Sequence, residues 1–264
     1  MGELSNLWSG SRVGALGVRH ISIQRLKPYL EEMFYDERKA VALYMWDREL
    51  SAAFFRDISL LEVALRNTID SVLVSTYGQS WHRSAVTLFD SRTFNQIAEA
   101  WKRLPKAYHS YDPANGVIRG RLIASCMFGT WVSMLDAGGG TGCEPPCDKV
   151  DHDQIWSTEL LIKAFPGGQK IAGTCDRQPF DRAWVHRQVR NVHLLRNRIA
   201  HHESLINGYP IPGENNDESR ISARRGYYYC LRLAAMIDRD LFRYIEQSSV
   251  VPSVLEKDPR GRNE

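Results

Sequence analysis

DRAWVHRQVRNVHLLRNRIAHHE, residues 181–203, contains neither glycine nor proline, so nothing in it interrupts a helix. Val185, Val189, Val192, Leu195 and Ile199 recur at three- and four-residue steps. On a helix they form one apolar stripe that must be buried against other helices. The remaining surface is crowded with Arg182, His186, Arg187, Arg190, His193, Arg196, Arg198, His201 and His202. Asn197 and His201 stand one helical turn apart on a shared face, and the long side chain of Arg196 can swing round to the same mouth.

These residue types together suit phosphodiester chemistry. Arginine offers planar, permanently charged donors to phosphate. Histidine moves protons near neutral pH, and asparagine orients a hydroxyl or an imidazole without adding charge. With no companion carboxylates, the set points to metal-independent attack on a phosphodiester by RNA's own 2'-hydroxyl. The plainer alternative is a solvated basic helix that binds nothing in particular.

The chain has 264 residues, 43% of them hydrophobic and 25% charged, enough for one large domain with a real core. A net charge of +3 confines any nucleic-acid surface to a local patch. The six arginines from Arg177 to Arg198 could supply one. There is no apolar run long enough to span a membrane and no export signal. The five cysteines suit a reducing cytoplasm. Cys143, Cys147, His152 and Cys175 could in principle bind zinc, but their spacing fits no standard site, so neither metal nor cofactor is expected.

Residues 1–20 read as a loose leader. Structure is expected from Ile21, with Ser22 as a cap and Pro28 near a helix start or break. Residues 37–74 are helical, and so long that two helices jointed near Asp57-Ile58-Ser59 are expected. Glu62, Arg66, Asn67 and Asp70 form a polar strip there, either a solvated ladder or a wall of the cleft holding Arg196. Tyr108 to Gly120 reads as a loop around which aromatic and basic residues from Lys106 to Arg121 interleave, able to stack bases or simply to lie on the surface. Arg121 to Leu135 reads as one buried helix, and 137–152 as a disordered or inserted loop. Ile155 to Phe165 reads as a short helix, Ile211 to Asp217 as a loop and Arg220 to Glu246 as one final helix. From residue 248 a flexible tail is expected.

Arg196-Asn197, three residues and then His201 match the Arg-Asn-x-x-x-His signature of the HEPN superfamily. Other segments resemble its Abi-like branch, the AbiD and AbiF type of bacterial abortive infection: Glu62-Val63-Ala64-Leu65-Arg66-Asn67, Phe128-Gly129-Thr130-Trp131 and Lys163-Ala164-Phe165-Pro166. The ordered set covers roughly residues 20 to 245 and departs from the pattern at 138–152. This resemblance implies an all-α antiparallel bundle with additional helices. It implies a homodimeric, toxin-like endoribonuclease of anti-phage defence, with Arg196, Asn197 and His201 catalytic. Arg190, Arg198 and His202 would then touch flanking RNA backbone, and Arg66 with Asn67 could line the same cleft. Left open are an RNA-binding module that holds a structured non-coding RNA without cleaving it, and a dimerising antitoxin-like protein. Arg187 with His193 is a second, weaker reading of the motif.

Overall fold

The computed structural model describes residues 21–110, 115–144, 148–211 and 220–261. The expected leader at 1–20, Cys147 and most of the 211–217 loop lie outside the described residues. The architecture is all-α, with two small β pairs between helices.

Helix α1, Ile23–Glu32, begins where the Ser22 hydroxyl accepts the Arg25 amide at 3.3 Å. Pro28 lies inside it rather than at a start or break. Burial of Leu26 and Tyr29 on either side holds the helix across the missing N–H. Helix α2, Glu37–Tyr77, is a single run of 41 residues, roughly 60 Å long at 1.5 Å per residue, without the expected joint. Leu50, Phe54, Ile58, Leu61, Leu65 and Ile69 stay buried straight through the proposed break. Packing along its whole length supplies the tertiary support on which most helical stability depends. At the expected joint, the Ser249 hydroxyl donates to Asp57 Oδ2 at 2.5 Å.

Burial pushes the Asp57 carboxyl above its ordinary pKa, although the Ser249 bond partly offsets this. A raised folded pKa means that ionised Asp57 costs stability at neutral pH, and that this cost disappears once pH falls below the unfolded value. Asp57→Asn is therefore expected to raise the melting temperature at pH 7. The gain should shrink toward zero as pH drops through the carboxylate range; a gain independent of pH would contradict the assignment.

After Gly78, a 3-10 turn at Trp81–Ser84 leads into α3, Ala85–Leu88, and α4, Ser91–Lys102. The expected buried helix at 121–135 is two: α5, Gly116–Ser125, and α6, Phe128–Leu135. Asn115 caps the Val117 amide at 2.9 Å and starts α5 early. Extended backbone at Cys126 and Met127 separates the two. Arg119 and Arg121 keep α5 near the surface, whereas every residue of α6 except Gly129 is buried. One straight helix could not serve both environments.

Within the glycine-rich stretch, β1, Gly138–Gly140, pairs antiparallel with β2, Lys149–Asp151, as a two-stranded ribbon. Gly138 has φ +82°, and a Cβ there would sit 2.3 Å from the Val150 carbonyl oxygen. Buried His152 anchors the ribbon. Its Nδ1 lies 3.0 Å from the Asp136 carbonyl oxygen, its Nε2 3.4 Å from the Asp90 amide nitrogen. Of the four residues considered for zinc, this one has both ring nitrogens engaged.

Helix α7, Thr158–Ala164, and the short α8, Gly168–Ile171, lead through a wider π turn at Ala172–Asp176 to α9, Arg182–Ala200. Asp181 caps α9 at the Trp184 amide, 2.7 Å. Its stripe of Val185, Val189, Val192, Leu195 and Ile199 is buried as expected, against α6, α2 and the following helix. Strands β3, Tyr209–Pro210, and β4, Arg220–Ile221, form a two-residue pair.

The final helix is also divided, into α10, Ala223–Ile237, and α11, Arg239–Ser248. Asp238 is extended between them, and its carboxylate accepts the Leu241 amide at 2.7 Å. The described part of the tail, up to residue 261, is docked rather than flexible. Helix α12, Val251–Leu255, buries Val251 and Val254 against α2, and the Trp46 indole donates to the Val254 carbonyl at 2.7 Å. Arg260 donates to the Ile206 carbonyl at 2.8 Å and pairs with Asp258 at 2.6 Å. No helix among the described residues is long and apolar enough to cross a membrane.

Candidate functional site

Opposite the buried stripe of α9, His186, Arg190, His193, Asn197 and His201 follow at steps of four, three, four and four, along one face. His201 is the C-cap, its amide donating to the Asn197 carbonyl at 3.0 Å. The chain then reverses at His202, which takes a left-handed φ of +55°. The His202 amide bonds the Ile199 carbonyl at 3.0 Å and the Glu203 amide bonds the Arg198 carbonyl at 2.9 Å. This is a Schellman termination with histidine where glycine is usual.

Other elements clamp the reversal. Arg25 donates to the His202 carbonyl at 2.5 Å and Arg48 to the Glu203 carbonyl at 3.2 Å. The Leu205 amide donates to Asp47 Oδ1 at 2.9 Å. Helices α1 and α2 thus fix the backbone on which His201 is carried, while its own side is exposed to solvent.

Arg196 points to α2. Its Nε lies 3.9 Å from Glu62 Oε2, both side chains partly buried, and that Nε has no hydrogen-bond partner among the described residues. Arg66, one turn along α2, likewise has a buried Nε without a hydrogen bond. The polar strip of α2 is therefore divided. Glu62 faces Arg196, whereas Asp70 accepts from the Trp81 indole at 2.8 Å and Arg119 at 3.4 Å. Asn67 is exposed.

Between Arg196 and the start of α6 lies His193, which sequence reasoning placed only in a secondary motif. Its ring stacks on Phe128 with centroids 5.5 Å apart and planes 11° from parallel. The Asn197 Nδ2 stands 3.1 Å from its Nε2. Burial, helped by the charges of Arg196 and Arg190, pushes its pKa down to about 4. The ring is therefore neutral at pH 7. With the Asn197 NH₂ group facing it, Nε2 is the acceptor, which leaves the proton on Nδ1. The four-residue step to Asn197 was the sequence signal for this bond; the burial that keeps the ring neutral was not visible.

The arginine count overstates the available charge. Arg182 is buried, pairing with Asp153 at 2.6 Å and donating to the Leu135 carbonyl at 2.9 Å. Arg187 donates to Gln178 at 2.9 Å. Arg198 pairs with Glu203 at 2.6 Å, which ties it to the chain reversal. Of the residues expected to touch flanking RNA, Arg198 and His202 thus have structural roles in ending α9, and Arg190 is half-buried beside His186 and His193. In the 106–121 segment, His109 stacks on Trp101 and Arg121 lies 4.7 Å over the Tyr108 ring, so these groups are occupied internally. Tyr111 lies outside the described residues.

What the arrangement offers chemically is an exposed imidazole, a carboxamide held from behind and a guanidinium with unused donor capacity. Compared with protein-family models, with curated proteins and with solved structures, the chain gives no match.

Proposed function

We propose that this protein is a metal-independent endoribonuclease of the HEPN type, related to the Abi-like abortive-infection branch. The observation that carries the reading is the open end of α9. There the Arg-Asn-x-x-x-His residues share one helix terminus, clamped from α1 and α2.

In the proposed reaction His201 removes the 2'-hydroxyl proton, or protonates the departing 5'-oxygen. The 2'-oxygen bonds to phosphorus as the bond to the 5'-oxygen breaks, which leaves a 2',3'-cyclic phosphate and a 5'-hydroxyl. Arg196 exchanges its long contact with Glu62 for the phosphate and stabilises the charge that builds there. His193, beside Arg196, is held neutral by burial, so one chain presents few imidazoles able to trade protons. A homodimer would bring a second His201 to the cleft. The same observation favours the rival reading, an RNA-binding module without turnover, should the chain act alone.

Purified protein incubated with RNA in EDTA is expected to yield fragments with 2',3'-cyclic phosphate and 5'-hydroxyl ends. Cleavage that needs Mg²⁺ and leaves 5'-phosphates would refute the mechanism, and binding without fragments would favour the rival. RNA affinity should fall about tenfold or more between 50 and 200 mM salt, if several phosphates are engaged. Salt-independent binding would count against both readings.

A further inference from the structure

The Arg196-Asn197-His201 reading of the motif assigns His193 no role, yet the fold partly buries its ring beside the proposed active residues. A histidine used only for packing would leave a ring nitrogen buried without compensation, which is costly. Here one face stacks on Phe128 and Nε2 meets the Asn197 carboxamide at 3.1 Å. The start of α6 packs directly on the ring: a Cβ at Gly129 would stand 3.4 Å from His193 Nε2.

A carboxamide has two chemically different ends and rotates freely unless one is fixed. The NH₂ end of Asn197 faces His193 Nε2 and can only donate, so Nε2 carries the lone pair and no proton, and this tautomer rejects the carbonyl end. The preceding turn of α9 holds that NH₂ group. Oδ1 is then the end left for the following turn, the one that carries His201.

We propose that His193 is a positioning residue of the ribonuclease site, accepting a hydrogen bond from Asn197 and so presenting Asn197 Oδ1 to His201 or to the attacking 2'-hydroxyl. The proposal rests on the endoribonuclease reading above. It assigns His193 no contact with RNA and no proton transfer. Its task is to exclude the reversed carboxamide, which would offer donors where the reaction needs an acceptor.

Nuclear magnetic resonance of ¹⁵N-histidine protein without RNA, with His193 assigned by its loss in His193→Phe, is expected to show at pH 7 a neutral ring protonated on Nδ1. A ring protonated on Nε2 overturns the proposal, because Asn197 would then be reversed. In cleavage assays His193→Phe keeps the stack on Phe128 but removes the acceptor. It should lower kcat roughly tenfold, the scale of one orienting hydrogen bond, with KM little changed. His193→Gln can place an amide oxygen near the Nε2 position and should recover most of that loss. Equal loss in both variants, or none in His193→Phe, overturns the positioning role while wild-type cleavage leaves the nuclease reading standing. A wild-type protein that fails to cleave RNA defeats the nuclease reading itself, and the positioning role with it. Thermal melts accompany both variants; should His193→Phe not fold, His193→Gln supplies the assignment for the tautomer measurement, and that measurement decides the matter.

Discussion

Replacing His201 with alanine is expected to lower RNA cleavage by about 10²–10⁴-fold, the usual contribution of a positioned proton-transfer group. Stability should hardly change. The His201 side is exposed, and the bonds that end α9 there are made by backbone amides, which alanine retains. Single-turnover cleavage in EDTA beside a thermal melt separates the two effects. RNA affinity should survive, since phosphate contacts need only charge. Arg196→Lys should also be damaging, because a point charge cannot reproduce a planar fork at phosphate. Full activity in His201→Ala would remove the proposed mechanism and leave the binding-module reading.

Removing Asp47 should have the largest effect on stability. The carboxylate is fully buried and accepts from the Tyr29 hydroxyl at 2.6 Å, Arg48 at 2.5 Å and the Leu205 amide at 2.9 Å. Asp47→Ala takes this acceptor from the Tyr29 hydroxyl and the Leu205 amide and leaves Arg48 only the Glu203 carbonyl, and breaking a buried charged network of this kind typically costs about 3–5 kcal/mol. Asp47→Asn keeps one carbonyl acceptor and should cost less. The Leu205 bond also secures the chain just beyond His201, so Asp47→Ala should reduce cleavage without touching RNA. Urea denaturation with matched cleavage assays checks both outcomes. A change near zero in unfolding free energy would show that the network does not hold this reversal.

Much of the bundle was legible because its elements are set by local patterning. The stripe of Val185, Val189, Val192, Leu195 and Ile199 repeats at helical spacing and is buried as that spacing demands. The cap at Ser22 is a local hydrogen bond, so it too could be located in sequence. Arg196, Asn197 and His201 were legible as a set because one helix carries them all.

The misreadings share a cause. Helix α2 runs unbroken through Asp57, whose partner, Ser249, is 192 residues away. The segment after residue 248 is docked because Trp46 needs an acceptor, and Val254 supplies it across 208 residues. The 138–151 ribbon is anchored by His152 through Asp90 and Asp136. At the site, no spacing rule showed that Glu62 would face Arg196, that Arg198 would be tied to Glu203, or that Phe128 would stack on His193.

Sequence alone determined the helical class, the buried face of α9 and the chemical types gathered on its open face, because periodicity and residue chemistry are properties of a short stretch of chain. Tertiary structure alone decided which arginines remain available, which histidine is neutral and where the backbone after His201 is held. Those depend on desolvation and on partners distant in the chain, and neither is encoded in local spacing.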